Sequence, residues 1–176
     1  MRFTSSEEYG LRCLLRLGRE GLHGSLTIPE ISRAEGISTP YVAKIMRVLR
    51  RSGYVGSARG KTGGYSLARP VDQVRIGELL ALLGGRLFEP DFCEKHAGVE
   101  STCANSTDCA IRPVWQSVQM VIDNVLNNIT LGDLLRNEQA VTSWVDRLVT
   151  LPSPGATSNA GSEAAFAPPK ANLRYS

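Results

Sequence analysis

Three cysteines, Cys93, Cys103 and Cys109, follow one another with nine and then five residues between them. Thiolate sulfur ligates soft metals and iron–sulfur clusters, and an accessible loop lets such a centre assemble and meet small reactants. The stretch Gly84 to Asp108, which carries the first two and ends beside Cys109, is polar. A loop of that length inside a compact chain is uncommon and often functional. A bound metal centre would offset the entropy of ordering it. His96 lies three residues after Cys93, so Cys93, His96, Cys103 and Cys109 also match a tetrahedral Cys3His zinc site. Without a metal, the three thiols would form a redox switch. On the residues alone all three readings stay open. The fourth cysteine, Cys13, sits among leucines and reads as a core residue. His23 reads as a surface or helix-capping histidine.

The elements around this loop follow from hydrophobic spacing. Residues 4–22 read as a helix, with Thr4 and Glu7 in capping-box spacing and Leu11, Leu14, Leu15, Gly18 and Leu22 on one face. A second helix starts at Thr27, turns Ile28, Ile31 and Ala34 inward, and stops at Gly36. Ser38 opens a third helix with Val42, Ile45, Met46 and Leu49 as its buried stripe, ending at Gly53. Tyr54 to Leu67 reads as a glycine-rich β-hairpin. Helix, short turn, helix and hairpin together form a winged helix-turn-helix pattern. A short helix over residues 75–83 precedes the cysteine loop. From Ala110 a long helix carries Trp115, Val118, Ile122, Val125 and Ile129 at alternating spacings of three and four, a seam for a partner helix. Thr130 and Asp133 cap another short helix, and residues 137–151 form a last amphipathic one with Val141, Trp144, Val145 and Leu148.

The expected fold is mainly α with a small β-hairpin wing: a winged helix-turn-helix domain plus a long dimerisation helix. Residues 1–75 form the DNA-binding domain, and 76–109 the short helix and cysteine loop. Residues 110–151 form the dimerisation and C-terminal helices. Residues 152–176, rich in Pro, Ala, Gly and Ser, are expected to be disordered.

Charge is distributed to match. The net charge is only +3, but residues 1–75 hold 13 Lys and Arg against 6 Asp and Glu, whereas residues 76–151 hold 5 against 10. Residues 38–69 carry seven basic residues and no acid. A basic front half implies a polyanion-facing module. Ser38, Thr39, Pro40, Tyr41 and Lys44, at the start of the third helix, would reach the major groove of double-stranded DNA. Arg47, Arg50 and Arg51 suit phosphates, and Arg59 and Lys61 on the wing suit a narrow minor groove. The alternative is a winged helix used for protein contact.

No nucleophile–base pair or phosphate-cradling loop suggests an enzyme, and GKTGG lacks the Walker spacing. No apolar run reaches bilayer length, so no membrane partner is expected. The N-terminus MRFTSSEEYG is neither a signal nor a transit peptide, which gives a cytoplasmic expectation.

The segments MRFTSSEEYGLRCLLRL, ISTPYVAKIMRVLRRSGYVGSARGKTGGYSLARP, the cysteine loop and LNNITLGDLL resemble the IscR/NsrR-type (Rrf family) winged-helix repressors over roughly residues 1–136. The resemblance implies a homodimer joined through the long helix. It also implies an operator of two half-sites, and sensing of redox state, nitric oxide or iron–sulfur supply through one cluster per chain, 2Fe–2S or 4Fe–4S. Its three-cysteine loop maps onto Cys93, Cys103 and Cys109. In nitric-oxide-sensing members an acidic residue near the start of the first helix reaches the cluster of the other subunit, and the matching residue is Glu8. The capping box leaves Glu8 free by engaging Glu7. His96 is the alternative fourth ligand. Three departures stand out. The family's cysteine loop often has five residues in each interval, and the first interval here has nine. A subfamily histidine ligand three residues after the last cysteine is Arg112 here, and an acidic residue on the third helix is Ala43.

Overall fold

The structure is a computed structural model, and it describes residues 3–21, 24–58, 60, 63–100 and 102–149. Leu22, His23, Arg59, Lys61 and the segment 152–176, each given an expectation above, lie outside the described residues, as does the side chain of Leu148.

The first helix, α1, spans Ser5–Arg19. Thr4 caps it reciprocally: its hydroxyl accepts from the Glu7 backbone N–H, and Glu7 returns its carboxylate to the Thr4 N–H at 2.7 Å. It stops at Arg19 rather than continuing to residue 22, with Gly21 at φ 78°. Cys13, Leu14 and Leu17 on α1 are fully buried. Each such leucine contributes ~1.5–3 kcal/mol by leaving water.

Helix α2 spans Ile28–Glu35 and repeats the capping box with Thr27 and Glu30. Gly36 ends it at φ 66°, a left-handed conformation suited to glycine. Ile31 is buried, whereas Ala34 is exposed rather than facing inward, because the eight-residue helix turns it past the contact with α1 and α3. Helix α3 spans Thr39–Arg51, and its buried residues are Val42, Ile45, Met46 and Leu49.

Strands β1 (Val55–Ala58) and β2 (Gly64–Leu67) pair antiparallel, with Val55 opposite Leu67 and Ala58 opposite Gly64. The backbone of Leu26 adds to this wing: Leu26 and Tyr65 exchange hydrogen bonds of 2.9 and 2.8 Å. Any Cβ on Gly64 would meet the Leu26 backbone at 2.9 Å, so glycine is required for that approach.

After a 3-10 turn at Val71–Gln73, helix α4 spans Ile76–Gly84 and packs on α1. A Cβ on Gly84 would overlap the Glu7 carboxyl, which shows how closely the two helices meet. A short helix, α5 (Phe92–Lys95), interrupts the expected structureless loop. Helix α6 spans Ile111–Asn127, α7 spans Leu131–Leu134 with a Thr130–Asp133 capping box, and α8 spans Glu138–Val149. The architecture is mainly helical around one two-stranded wing, a winged helix-turn-helix followed by a long helix. Among the described residues no helix is long and apolar enough to cross a membrane.

Candidate nucleic-acid interface and metal centre

Ser38, Thr39 and Pro40 stand exposed at the start of α3. Ser38 takes the N-cap position without a side-chain capping bond, so its hydroxyl is not committed to the helix. Thr39 Oγ1 lies 3.1 Å from Ser32 Oγ, which fixes α3 against α2. Tyr41 differs from the expectation of a freely projecting side chain. It is half-buried, with its ring edge-on to Tyr9 at 5.5 Å and its hydroxyl 3.1 Å from Ser6 Oγ. It thereby joins the start of α3 to the first turns of α1.

Lys44, Arg47 and Arg51 are exposed along α3 and form no ion pair among the described residues. Two other basic residues of the same run are occupied. Arg50 donates to Ser57 Oγ on β1 at 3.3 Å. Arg69 donates to the carbonyls of Gly53 and Ser52 at 3.0 and 3.3 Å and lies over the Tyr54 ring at 4.6 Å. It closes the C-terminal end of α3, where cations are favoured. The acid-free run therefore contains both structural and unpartnered cations, a distinction invisible in the charge count. Arg59 and Lys61 lie outside the described residues.

The second candidate site is the loop between α4 and α6. Cys93 lies on α5; Cys103 and Cys109 lie in the following coil, and all three are free thiols of intermediate burial. Cys13 is also free but fully buried, and burial pushes its thiol up to about 12. A thiol held protonated in this way is a poor nucleophile and a poor ligand. Among the described residues no three His, Cys, Asp or Glu side chains are gathered as a metal site. The chemistry of the donors, three accessible thiols in one loop, fits a cluster or a soft metal, but the isolated chain does not bring them together.

His96 is exposed and stacks on Phe92 at 4.1 Å, with Nδ1 2.7 Å from the Phe92 carbonyl oxygen. Glu8 is exposed on α1 and borders a groove formed with α8 by Leu11, Leu15, Val141 and Val145. Arg112 donates to the Ser106 carbonyl at 3.0 Å, so it holds the loop backbone.

The apolar seam divides in two. Trp115 and Val118 are 42% and 37% exposed and continue into an open face with Ile111, Val114 and Val121. Ile122 and Val125 are half-buried, and Val125 packs on the core. Ile129 lies beyond α6 and is buried in the chain's own core, where its carbonyl accepts from the Ile76 N–H at 2.9 Å. Ile129 is therefore not on a free face. The helix ends at Asn127, and the chain then turns inward.

The interaction that sequence reading missed lies between α6 and the root of the cysteine loop. Gln119 is buried; its Oε1 accepts from the Phe88 N–H at 2.9 Å and its Nε2 donates to Asp123 Oδ1 at 2.9 Å. Asp123 also pairs with Arg86. The only trace in the sequence is the i,i+4 spacing of Gln119 and Asp123.

A family model described as Rrf2, iron-dependent transcriptional regulator, matches residues 3–137. The chain belongs to the Rrf2 family. This Rrf2 regulator is 31% identical over 137 residues to protein rrf2 of Nitratidesulfovibrio vulgaris, covering 78% of this chain and 89% of that protein. Among solved structures it is similar to T. potens IscR, with a TM-score of 0.60 and 28% identity over 77% of this chain and 86% of that one. It is also similar to CymR of B. subtilis, described as the global cysteine regulator, with a TM-score of 0.61 and 25% identity over 77% and 96%. Family and fold together make this Rrf2 regulator a DNA-binding transcriptional regulator of winged-helix type, not an enzyme.

Proposed function

We propose that this Rrf2 regulator is a homodimeric, cytoplasmic repressor. It senses redox state, nitric oxide or iron–sulfur supply through one iron–sulfur cluster per chain. The observation that carries the reading is the placement of three free, accessible thiols on the loop that runs directly into α6, whose outer face is apolar and exposed. Cys93, Cys103 and Cys109 would hold the cluster, with Glu8 from a second copy of the chain as fourth ligand and His96 as the alternative. When bound, the cluster supplies a centre that is open to oxidation, to nitric oxide and to loss.

The division of labour follows the chain: residues 1–75 bind DNA, 76–109 hold the sensor, and 110–151 join the two copies. Ser38, Thr39, Pro40, Tyr41 and Lys44 face base edges, while Arg47, Arg51, Arg59 and Lys61 neutralise phosphates. Trp115 and Val118 meet the second copy. The path from sensor to DNA runs through α1, which packs on α4 and on α3 and links to α3 through Tyr9, Ser6 and Tyr41. A difference of ~1–3 kcal/mol between two placements of α3 changes DNA affinity about 5- to 150-fold.

A second reading is a regulator without a cluster, either a Cys3His zinc protein or a thiol switch. The likeness to CymR, described as a global cysteine regulator, supports its thiol-switch form. Purification without oxygen, followed by the visible spectrum and assays for iron, acid-labile sulfide and zinc, tests both. Iron with sulfide is expected. A colourless protein with one zinc per chain, or one that takes up neither metal after reconstitution, would overturn the cluster reading.

A further inference from the structure

Gln119 is 7% exposed, although Trp115, Val118 and Met120 around it stand open. A buried primary amide is kept only where its hydrogen bonds are made, and here both ends are engaged, one on Phe88 and one on Asp123. The second oxygen of Asp123 takes the Arg86 guanidinium. One i,i+4 pair on α6 thus grips residues 86 and 88, immediately after α4 ends at Gly84 and its C-cap Gly85.

Contacts continue from there toward the first thiol. The Phe88 ring lies 5.1 Å from Phe92, and Phe92 stacks on His96, so ring contacts flank Cys93 on both sides in sequence. Lys95 pulls α5 back onto the same strand of loop through Glu89 at 2.7 Å and Asp91 at 3.0 Å.

The far end of the loop enters α6 at Ile111, two residues after Cys109. Gln119 lies eight residues further on, about 12 Å along the helix at its usual rise. Both ends of the cysteine loop are therefore fixed to one rigid element, about two turns apart. Without the grip on Phe88, the near end of the loop would be held to α6 only through Arg86–Asp123 and the packing of α4, and Cys93 would explore a larger volume relative to Cys109.

We propose that Gln119, with Asp123 and Arg86, is a clamp that fixes the segment leading into Cys93 on α6 and so couples the ligation of the loop thiols to the placement of that helix. This rests on the reading of Cys93, Cys103 and Cys109 as ligands. Gln119 is a positioning residue, since it acts through the Phe88 backbone and touches no thiol.

The test uses the full chain with Gln119→Leu, which keeps size and removes both hydrogen bonds, and Asp123→Asn, which removes the charge facing Arg86. Amide hydrogen exchange is measured on the metal-free proteins, and the decay of visible absorbance under an iron chelator on the reconstituted ones. Gln119→Leu is expected to exchange about tenfold faster from Phe88 to His96, with α1 and α3 unchanged, and to lose colour faster by a similar factor. Asp123→Asn is expected to do the same to a smaller extent, and it carries the test if Gln119→Leu loosens the whole chain. Unchanged exchange at residues 88–96 overturns the clamp. Faster exchange with unchanged colour loss overturns its coupling to the thiols. If the wild-type chain takes up no iron, the cluster reading falls instead. The clamp is then judged by the rate of Cys93 alkylation, which Gln119→Leu should raise; an equal rate overturns it.

Discussion

Tyr41, in the first turn of α3, stands edge-on to Tyr9 of α1, with ring planes at 83° and the Tyr41 hydroxyl 3.1 Å from Ser6 Oγ. The helix that carries Glu8 therefore bears directly on the helix that carries the exposed cations. Tyr41→Phe keeps the ring contact and loses the hydroxyl, so it is expected to cost about 1 kcal/mol or less in urea denaturation. Tyr41→Ala removes the aromatic pair and is expected to cost about 2 kcal/mol or more. If Tyr41 also faces DNA, Tyr41→Phe will weaken operator binding beyond its effect on stability. Equal affinity for the two proteins would confine Tyr41 to a structural role.

The unpartnered cations of α3 are expected to set the salt dependence of DNA binding. Single alanine variants of Lys44, Arg47 and Arg51 are each expected to lower the slope of log affinity against log salt by about 1. Arg69→Ala is expected to leave that slope unchanged and instead to destabilise the fold, because its guanidinium closes α3 and covers Tyr54. Fluorescence anisotropy over a salt series separates the two classes.

The four cysteines should divide three to one in reactivity. In the native, metal-free protein at pH 8, iodoacetamide is expected to modify Cys93, Cys103 and Cys109, and to reach Cys13 only after unfolding. Mass spectrometry of the alkylated chain counts them. Burial, the main cause, raises the Cys13 thiol from 9.0 to about 12 in the folded state. The unfolded chain therefore releases this proton first as pH rises. The resulting contribution to stability is intact below pH 9 and is lost between 9 and about 12. Cys13→Ala should flatten that part of the stability–pH curve, and a curve of unchanged slope would show that Cys13 does not set it.

Trp115 and Val118 should control self-association. Val118→Asp places a charge in the centre of the exposed apolar face of α6 and is expected to convert a dimer to a monomer in sedimentation velocity, with little loss of helix content. A variant that sediments as the wild type would remove this face from the interface. Ile129→Asp is expected to unfold the chain instead, because Ile129 is internal.

Much of the local structure was legible in the sequence, for physical reasons that act over a few residues. The capping boxes at Thr4, Thr27 and Thr130 and the glycine stop at Gly36 are such signals. So is the stripe Val42, Ile45, Met46 and Leu49, whose spacing turns all four to one face. The errors fell where a neighbour in space made the decision. Ala34 has the right spacing but no partner, and Ile129 has seam spacing but lies past the helix end.

The sequence by itself determined the order of the helices, the wing, the capping residues and the three thiols on one polar stretch, because these depend on residue type and short-range spacing. It also separated a basic front half from an acidic remainder. Only the tertiary structure decided which cations are spoken for, how Leu26 joins the wing, and that Gln119 grips Phe88 across 31 residues of chain. Those outcomes depend on which polar groups become buried together. A buried donor or acceptor must find its partner wherever folding brings one within reach, and spacing along the chain carries no record of that meeting.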